Sequence, residues 1–273
     1  MPQAPAPSAL ILREFLFHFE QRIASLRLAE KWDNVGFLVE SPKAATYSSL
    51  RLLTCIDLTN DVVSEAVSKN CNVIFSYHPV MFRPIQSLSV QAQLPILRCL
   101  DAGISVFVPH TALDSSEGGM NDFLADKFLE HQLSRGAVSI DPGTGAQVGR
   151  IVRFTRALSL NEMVDVLKKS LRRGNIRVAT NWDLNEPRIS SVAVCVGSGY
   201  SVLKDAHADV CLTGEMTHHD ILACKAGDMS AILLDHSSSE RPFLPDLVKR
   251  LSLIDCVSSC IQSEADIEPI ITV

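Results

Sequence analysis

His236 and Glu240 stand four residues apart, and His78 and Asp114 offer a second pair of donors upstream. On a helix, side chains at i and i+4 point the same way across one turn, so an imidazole and a carboxylate converge. Nitrogen and oxygen donors of this kind suit a divalent transition metal such as zinc, manganese or iron. His236 and Glu240 alone also admit a structural reading, with Ser237, Ser238 and Ser239 as caps and Glu240 complementing the helix dipole. The second cluster tips the balance toward a metal.

The donors are placed by a strand–helix alternation. Residues 209–212 form an apolar run that reads as a buried strand ended by Thr213-Gly214, and Thr217 caps a helix to about Gly227. Residues 231–234 read as the next parallel strand. Glu215 and His236 therefore leave consecutive strands at their C-terminal ends, the edge where open α/β sheets bind ligands. Upstream, strands at 51–56, 73–76 and 104–108 alternate with helices at 60–69 and 90–102. The second of these strands runs into Tyr77-His78-Pro79, and the third into Pro109-His110, with Asp114 four residues on. Asn121 is expected to cap a helix up to Leu129, and a first amphipathic helix is expected over residues 8–29.

The layout is the same in both halves: strand, helix, and a strand ending in histidine with a carboxylate four residues later. The fold class expected is α/β, with two related lobes, mostly parallel sheets and a metal site in the interlobe cleft. The lobes are expected at 8–134 and 148–273, after a flexible tail at 1–7. The Gly- and Pro-rich residues 135–147 would connect them. Gly197-Ser198-Gly199 reads as a tight turn in preference to an anion cradle.

The chain has 273 residues, 47% hydrophobic and 21% charged, the balance of a globular protein. A formal charge of -6 argues against a general nucleic-acid binder. Lys168, Lys169, Arg172, Arg173 and Arg177 are a local basic exception, read as helix-end cations. Eight cysteines without a C-x-x-C suit a reducing compartment, and no run is long enough to span a bilayer. The expected location is cytoplasmic, with the nucleus as a second compartment.

Trp32-Asp33-Asn34-Val35-Gly36, Tyr77-His78-Pro79, His110 to Asp114, Gly119-Met120-Asn121, Thr213-Gly214-Glu215 with His218-His219, and His236 through Glu240 occur in this order. Together they resemble the NGG-interacting-factor-three-like family, also called GTP cyclohydrolase I type 2 homologues. The resemblance covers residues 32–244. It implies two α/β lobes, a toroidal homohexamer and one or two divalent metals in the interlobe cleft, with His78, Asp114, His236 and Glu240 as ligands. Many members have two adjacent histidines before the proline. Tyr77 takes the first position here, and a phenol with an ordinary pKa of about 10 is a poor ligand.

Two functions follow. One is a metal-dependent hydrolase acting through a metal-activated water on a phosphoester, nucleotide or cyclic amide-like bond. In it Glu215 and His219 (with His218) orient ligands or move protons. The other is a non-catalytic, metal-binding oligomeric platform or regulator with a protein partner, or a metal chaperone.

Overall fold

The computed structural model describes residues 9–270. The expected tail at 1–7 lies outside them. The chain is a mixed α/β protein with largely parallel sheets. It forms two compact units, one from Met1–Leu113 with Phe243–Val273 and the other from Asp114–Pro242.

In the first unit, α1 (Ala9–Arg22) buries Leu12, Phe15 and Phe19, and the rings of Phe15 and Phe19 meet Phe107 edge-on at 5.3 and 4.9 Å. It ends earlier than the expected 29, because the Glu20 carboxylate accepts the Leu26 N–H at 3.1 Å and Leu26–Leu28 turns as a short 3-10 helix. Then follow β1 (Gly36–Val39), β2 (Leu50–Cys55), α2 (Asn60–Ser68), β3 (Val73–Ser76), α3 (Val90–Ala102), β4 (Ser105–Val108) and α4 (Thr111–Ser115). Thr59 and Ser89 cap α2 and α3, and Gly103 closes α3 at φ 79°. A left-handed C-cap suits glycine.

The second unit runs through α5 (Met120–Ala125), β5 (Gln132–Gly136), β6 (Ser139–Ile140), β7 (Gln147–Val148), β8 (Arg150–Leu158) and α6 (Leu160–Leu171). It continues with β9 (Arg177–Ala179), β10 (Ile189–Cys195), α7 (Tyr200–Leu203), β11 (Val210–Thr213), α8 (His218–Ala226), β12 (Ser230–Leu233) and α9 (His236–Glu240). Its sheet is ordered β5-β8-β10-β11-β12-β9. The chain then returns to the first unit as α10 (Leu244–Leu251) and β13 (Val257–Gln262), completing a sheet ordered β1-β4-β3-β2-β13.

These bounds differ from the expected lobes for two reasons. Residues 135–147 are ordered into the second unit: β5 pairs antiparallel with β8, and the Asp141 carboxylate gathers the N–H groups of Gly143 and Thr144 into a hairpin turn. The C-terminal strand pairs parallel with β2 (Cys260 opposite Leu52), so it belongs to the first sheet.

Each unit contains three consecutive parallel strands with an antiparallel strand beside the third: β1-β4-β3-β2 in one and β9-β12-β11-β10 in the other. Hydrophobic clusters around Leu53, Ile74 and Val106, and around Ala193, Cys211 and Ala231, pack the two sheets. Cys55, Cys195 and Cys211 are buried in strands as small apolar groups.

One buried ion pair organises the second unit. The Arg150 side chain, 2% exposed, donates Nε and a terminal nitrogen to Asp122 at 2.7 and 3.0 Å. Its remaining N–H groups reach the carbonyls of Gln147, Gly149 and Ser116. All five guanidinium donors are thereby used. Asp122 also accepts from Gly118 N–H and from Arg135.

Asn121 does not cap α5, which starts at Met120 with Gly119 before it. Its amide instead donates to the Asp114 carbonyl at 3.2 Å and accepts the Val196 N–H at 2.9 Å. Thr217 caps α8 as expected, in a reciprocal box with Asp220.

Candidate functional site

In the second unit, Glu215 lies two residues past β11 and His236 three past β12. The His236 ring bridges two carboxylates. Its Nδ1 is 2.9 Å from Glu215 Oε1, and its Nε2 is 3.3 Å from Glu240 Oε1. Glu240 is 2% exposed, whereas Glu215 and His236 are accessible. A carboxylate on one imidazole nitrogen fixes the tautomer and aims the other nitrogen. The helix begins at His236 itself, so His236 and Glu240 share its face as their spacing predicts.

Gly197 makes room for this arrangement. A Cβ there would lie 2.8 Å from Glu240 Oε1 and 3.2 Å from His236 Nε2. Gly197, at φ 62°, receives Glu215 N–H on its carbonyl and donates its own N–H to Ser239 Oγ. The Gly-Ser-Gly segment is thus a tight turn, and its first glycine lets backbone approach the two ligand candidates.

In the first unit, Asp57, His78 and His110 follow β2, β3 and β4 at the same sheet edge. His78 Nδ1 is 2.9 Å from Asp57 Oδ1, and His110 Nδ1 is 2.8 Å from Asp33 Oδ1. Burial pushes the Asp33 carboxyl up, but the bonds from His110 and from the Thr111 hydroxyl and N–H outweigh it and hold its pKa below the ordinary value. Tyr77 is 1% exposed, its ring 4.9 Å from that of His78 and 5.3 Å from that of His110.

Strand register sharpens the comparison of the halves. Ser76 pairs with Cys55, and Thr213 with Cys195, so His78 corresponds to Glu215. Phe75 pairs with Phe107, and Leu212 with Ile232, which makes Asp235 the counterpart of His110, with His236 one residue further on. Both counterparts have positive φ, 34° at His110 and 65° at Asp235. Non-glycine residues in such regions cost about 1–3 kcal/mol and persist when their surroundings hold them. Asp33 holds His110, and Arg173 and Arg177 hold Asp235 at 3.1 and 2.6 Å. Two of the basic residues read as helix-end cations therefore pin the residue before His236.

Among the predicted site residues, the second unit brings Glu215, His236 and Glu240 together. His218 and His219 open α8 as exposed side chains and make no hydrogen bond to these three. Asp114 is half-buried in α4. Sequence reasoning missed Asp57, Gly197, Arg173 and Arg177. Asp57 was findable, since it follows its strand end at the same offset as His78.

The fold and this strand edge define a two-unit α/β protein with carboxylate-held histidines beyond its parallel strands. The Duf34/NIF3 (NGG1p interacting factor 3) family profile matches residues 12–266, and the chain belongs to this family. It is 34% identical over 261 residues to NGG1-interacting factor 3 of Saccharomyces cerevisiae, covering 88% of this chain and 90% of that one. It is 29% identical to human NIF3-like protein 1, covering 90% and 89%. A Staphylococcus aureus hypothetical protein has the same fold, with a TM-score of 0.79 at 22% identity over 99% of this chain and 100% of that one. So does reduced HcgD from Methanocaldococcus jannaschii, with a TM-score of 0.78 at 23% identity over 93% and 97%. No helix among the described residues is long and apolar enough to cross a membrane.

Proposed function

We propose that the protein is a divalent-metal-dependent hydrolase of a phosphoester, nucleotide or cyclic amide-like substrate, with His78, Asp114, His236 and Glu240 as ligands. The observation that carries this is the Glu215–His236–Glu240 arrangement, in which a buried carboxylate faces an imidazole already held from its other side. A buried carboxylate is costly unless a cation or hydrogen bonds accompany it, so this donor set fits zinc, manganese or iron. When bound, such a cation lowers the pKa of a coordinated water and polarises the substrate oxygen.

The chain's own residues supply the rest. Glu215 orients His236 through Nδ1, and Asp57 does the same for His78. Being accessible, Glu215 is placed to hold or move a proton at its carboxylate; His219, four residues on, is the second candidate for that role. Metal analysis followed by a substrate panel, with and without chelator, tests the proposal. Chelator-sensitive turnover is expected, with Glu215→Gln lowering it about 10²- to 10⁴-fold while retaining metal. No turnover with zinc, manganese or iron would overturn it.

Tyr77 leaves a second metal position one imidazole short. Tyr77→His should raise the metal-to-protein ratio in elemental analysis, and an unchanged ratio would make Tyr77 a bystander.

A platform role is the second reading. The name of the yeast relative refers to a protein partner, and Leu10, Phe17, Leu133 and Leu253 are exposed apolar side chains. The family resemblance supports a homohexamer, located in the cytoplasm or also the nucleus. Light scattering should give a multiple of the 29.9 kDa chain mass; a single-chain mass at micromolar concentration would dismiss the ring.

A further inference from the structure

We infer that the cavity beside His78 in the first unit binds a small anion carrying an apolar ring, of which an aryl phosphate is the simplest case. The cavity has a volume of about 380 Å³ and is lined by Asp57 and His78 at the strand ends, and by Met81, Phe82, Arg83 and Ile96. That lies within the roughly 300–1,000 Å³ of ordinary small-molecule sites.

Met81, Phe82, Ile85 and Ile96 give one part of its wall an apolar surface that suits a ring, beside the polar groups of Asp57, His78 and Gln93. Phe82 is 54% exposed and touches His110 edge-on at 5.7 Å, so an accessible aromatic surface adjoins the histidine cluster. The charge comes from Arg83, an exposed guanidinium that makes no hydrogen bond or ion pair among the described residues. Arg13 and Arg27 of this unit are likewise exposed without a partner among the described residues, but of the three only Arg83 lines the cavity, where a guanidinium can grip an oxyanion through two N–H groups.

Helix α3 is shaped around the cavity. Pro95 removes a helical N–H, and Gln93 leaves helical geometry at φ -125° and ψ 30°. Both residues line the cavity, and the Gln93 side chain is tied back by Ser89 N–H at 2.9 Å. The kink thus sets the first turn of α3 apart from the remainder, along the cavity wall. In placing a substrate ring next to His78 the inference rests on the proposed hydrolase; the cavity and its cation stand without it.

The test is titration calorimetry of phenyl phosphate into the full-length protein, as purified and after chelation, beside benzoate, phenol and inorganic phosphate. Phenyl phosphate should bind at least tenfold more tightly than phenol or inorganic phosphate. Arg83→Gln, at an exposed position, should weaken it at least tenfold with an unchanged melting temperature. Ala92→Trp, reaching in from the exposed side of α3, should abolish it. The benzoate arm identifies the anion: the tighter of benzoate and phenyl phosphate assigns a carboxylate or a phosphate, and either supports the site. Arg83-dependent binding that survives chelation supports the cavity even if no metal is found. Binding that vanishes on chelation and ignores Arg83→Gln overturns the cavity site and leaves the hydrolase proposal standing. Equal binding of phenol overturns it as well.

Discussion

Asp122→Ala should destabilise the second unit by about 3–5 kcal/mol, the usual result of stranding one member of a buried ion pair. Arg150 would keep its three backbone carbonyls but lose the bidentate carboxylate that neutralises it. Urea unfolding followed by circular dichroism measures the loss, read on the transition that carries this unit, because a two-unit chain need not unfold in one step. A loss under about 1 kcal/mol would mean that solvent reaches the guanidinium. The pH dependence has a definite sign. Burial raises the Asp122 pKa, and the Arg150 and Gly118 contacts outweigh it, holding it below the ordinary carboxylate value. The unfolded state therefore takes up the proton first as pH falls. The stabilisation is fully present only well above the unfolded-state pKa of about 3.9 and is lost as pH falls through that value toward the lower folded one, so the gap between wild type and Asp122→Asn should close on acidification.

The second large effect concerns Glu240→Gln. This change removes a formal charge from a 2% exposed side chain with little change of shape. If Glu240 is a ligand, metal affinity should fall by well over the 10- to 100-fold typical of losing an outer partner. The chelated protein should meanwhile be as stable as wild type or more so, because a neutral amide is cheaper to bury than a carboxylate. Elemental analysis and thermal melts of the same preparation separate these effects. Full metal content in the variant would dismiss Glu240 as a ligand. A large fall in the stability of the chelated protein would instead give Glu240 a structural role.

The parallel strands were legible because β2, β3, β4, β10, β11 and β12 are apolar runs punctuated by Gly, Pro, His and Asp. The spacing of His236 and Glu240 gave a local helical turn, which depends only on neighbours in sequence. What escaped was set at long range. Nothing in residues 257–262 announces pairing with β2, about two hundred positions earlier. Arg173 and Arg177 look like any helix-end cations until Asp235 is seen between them. The offset between His110 and His236 likewise emerges only from strand register. An expectation built on strand ends alone was a residue out of step.

The return of the chain to its first sheet has a consequence for biosynthesis. Residues 114–242 are continuous, so the second unit can finish folding while the C-terminal segment is still inside the ribosome. The first unit cannot: until β13 emerges, one side of β2 is an open edge with apolar neighbours. Open edges of this kind invite pairing with other chains. The nascent protein therefore passes through an interval, lasting until residues 257–262 are available to pair with β2, in which this edge is open to other chains.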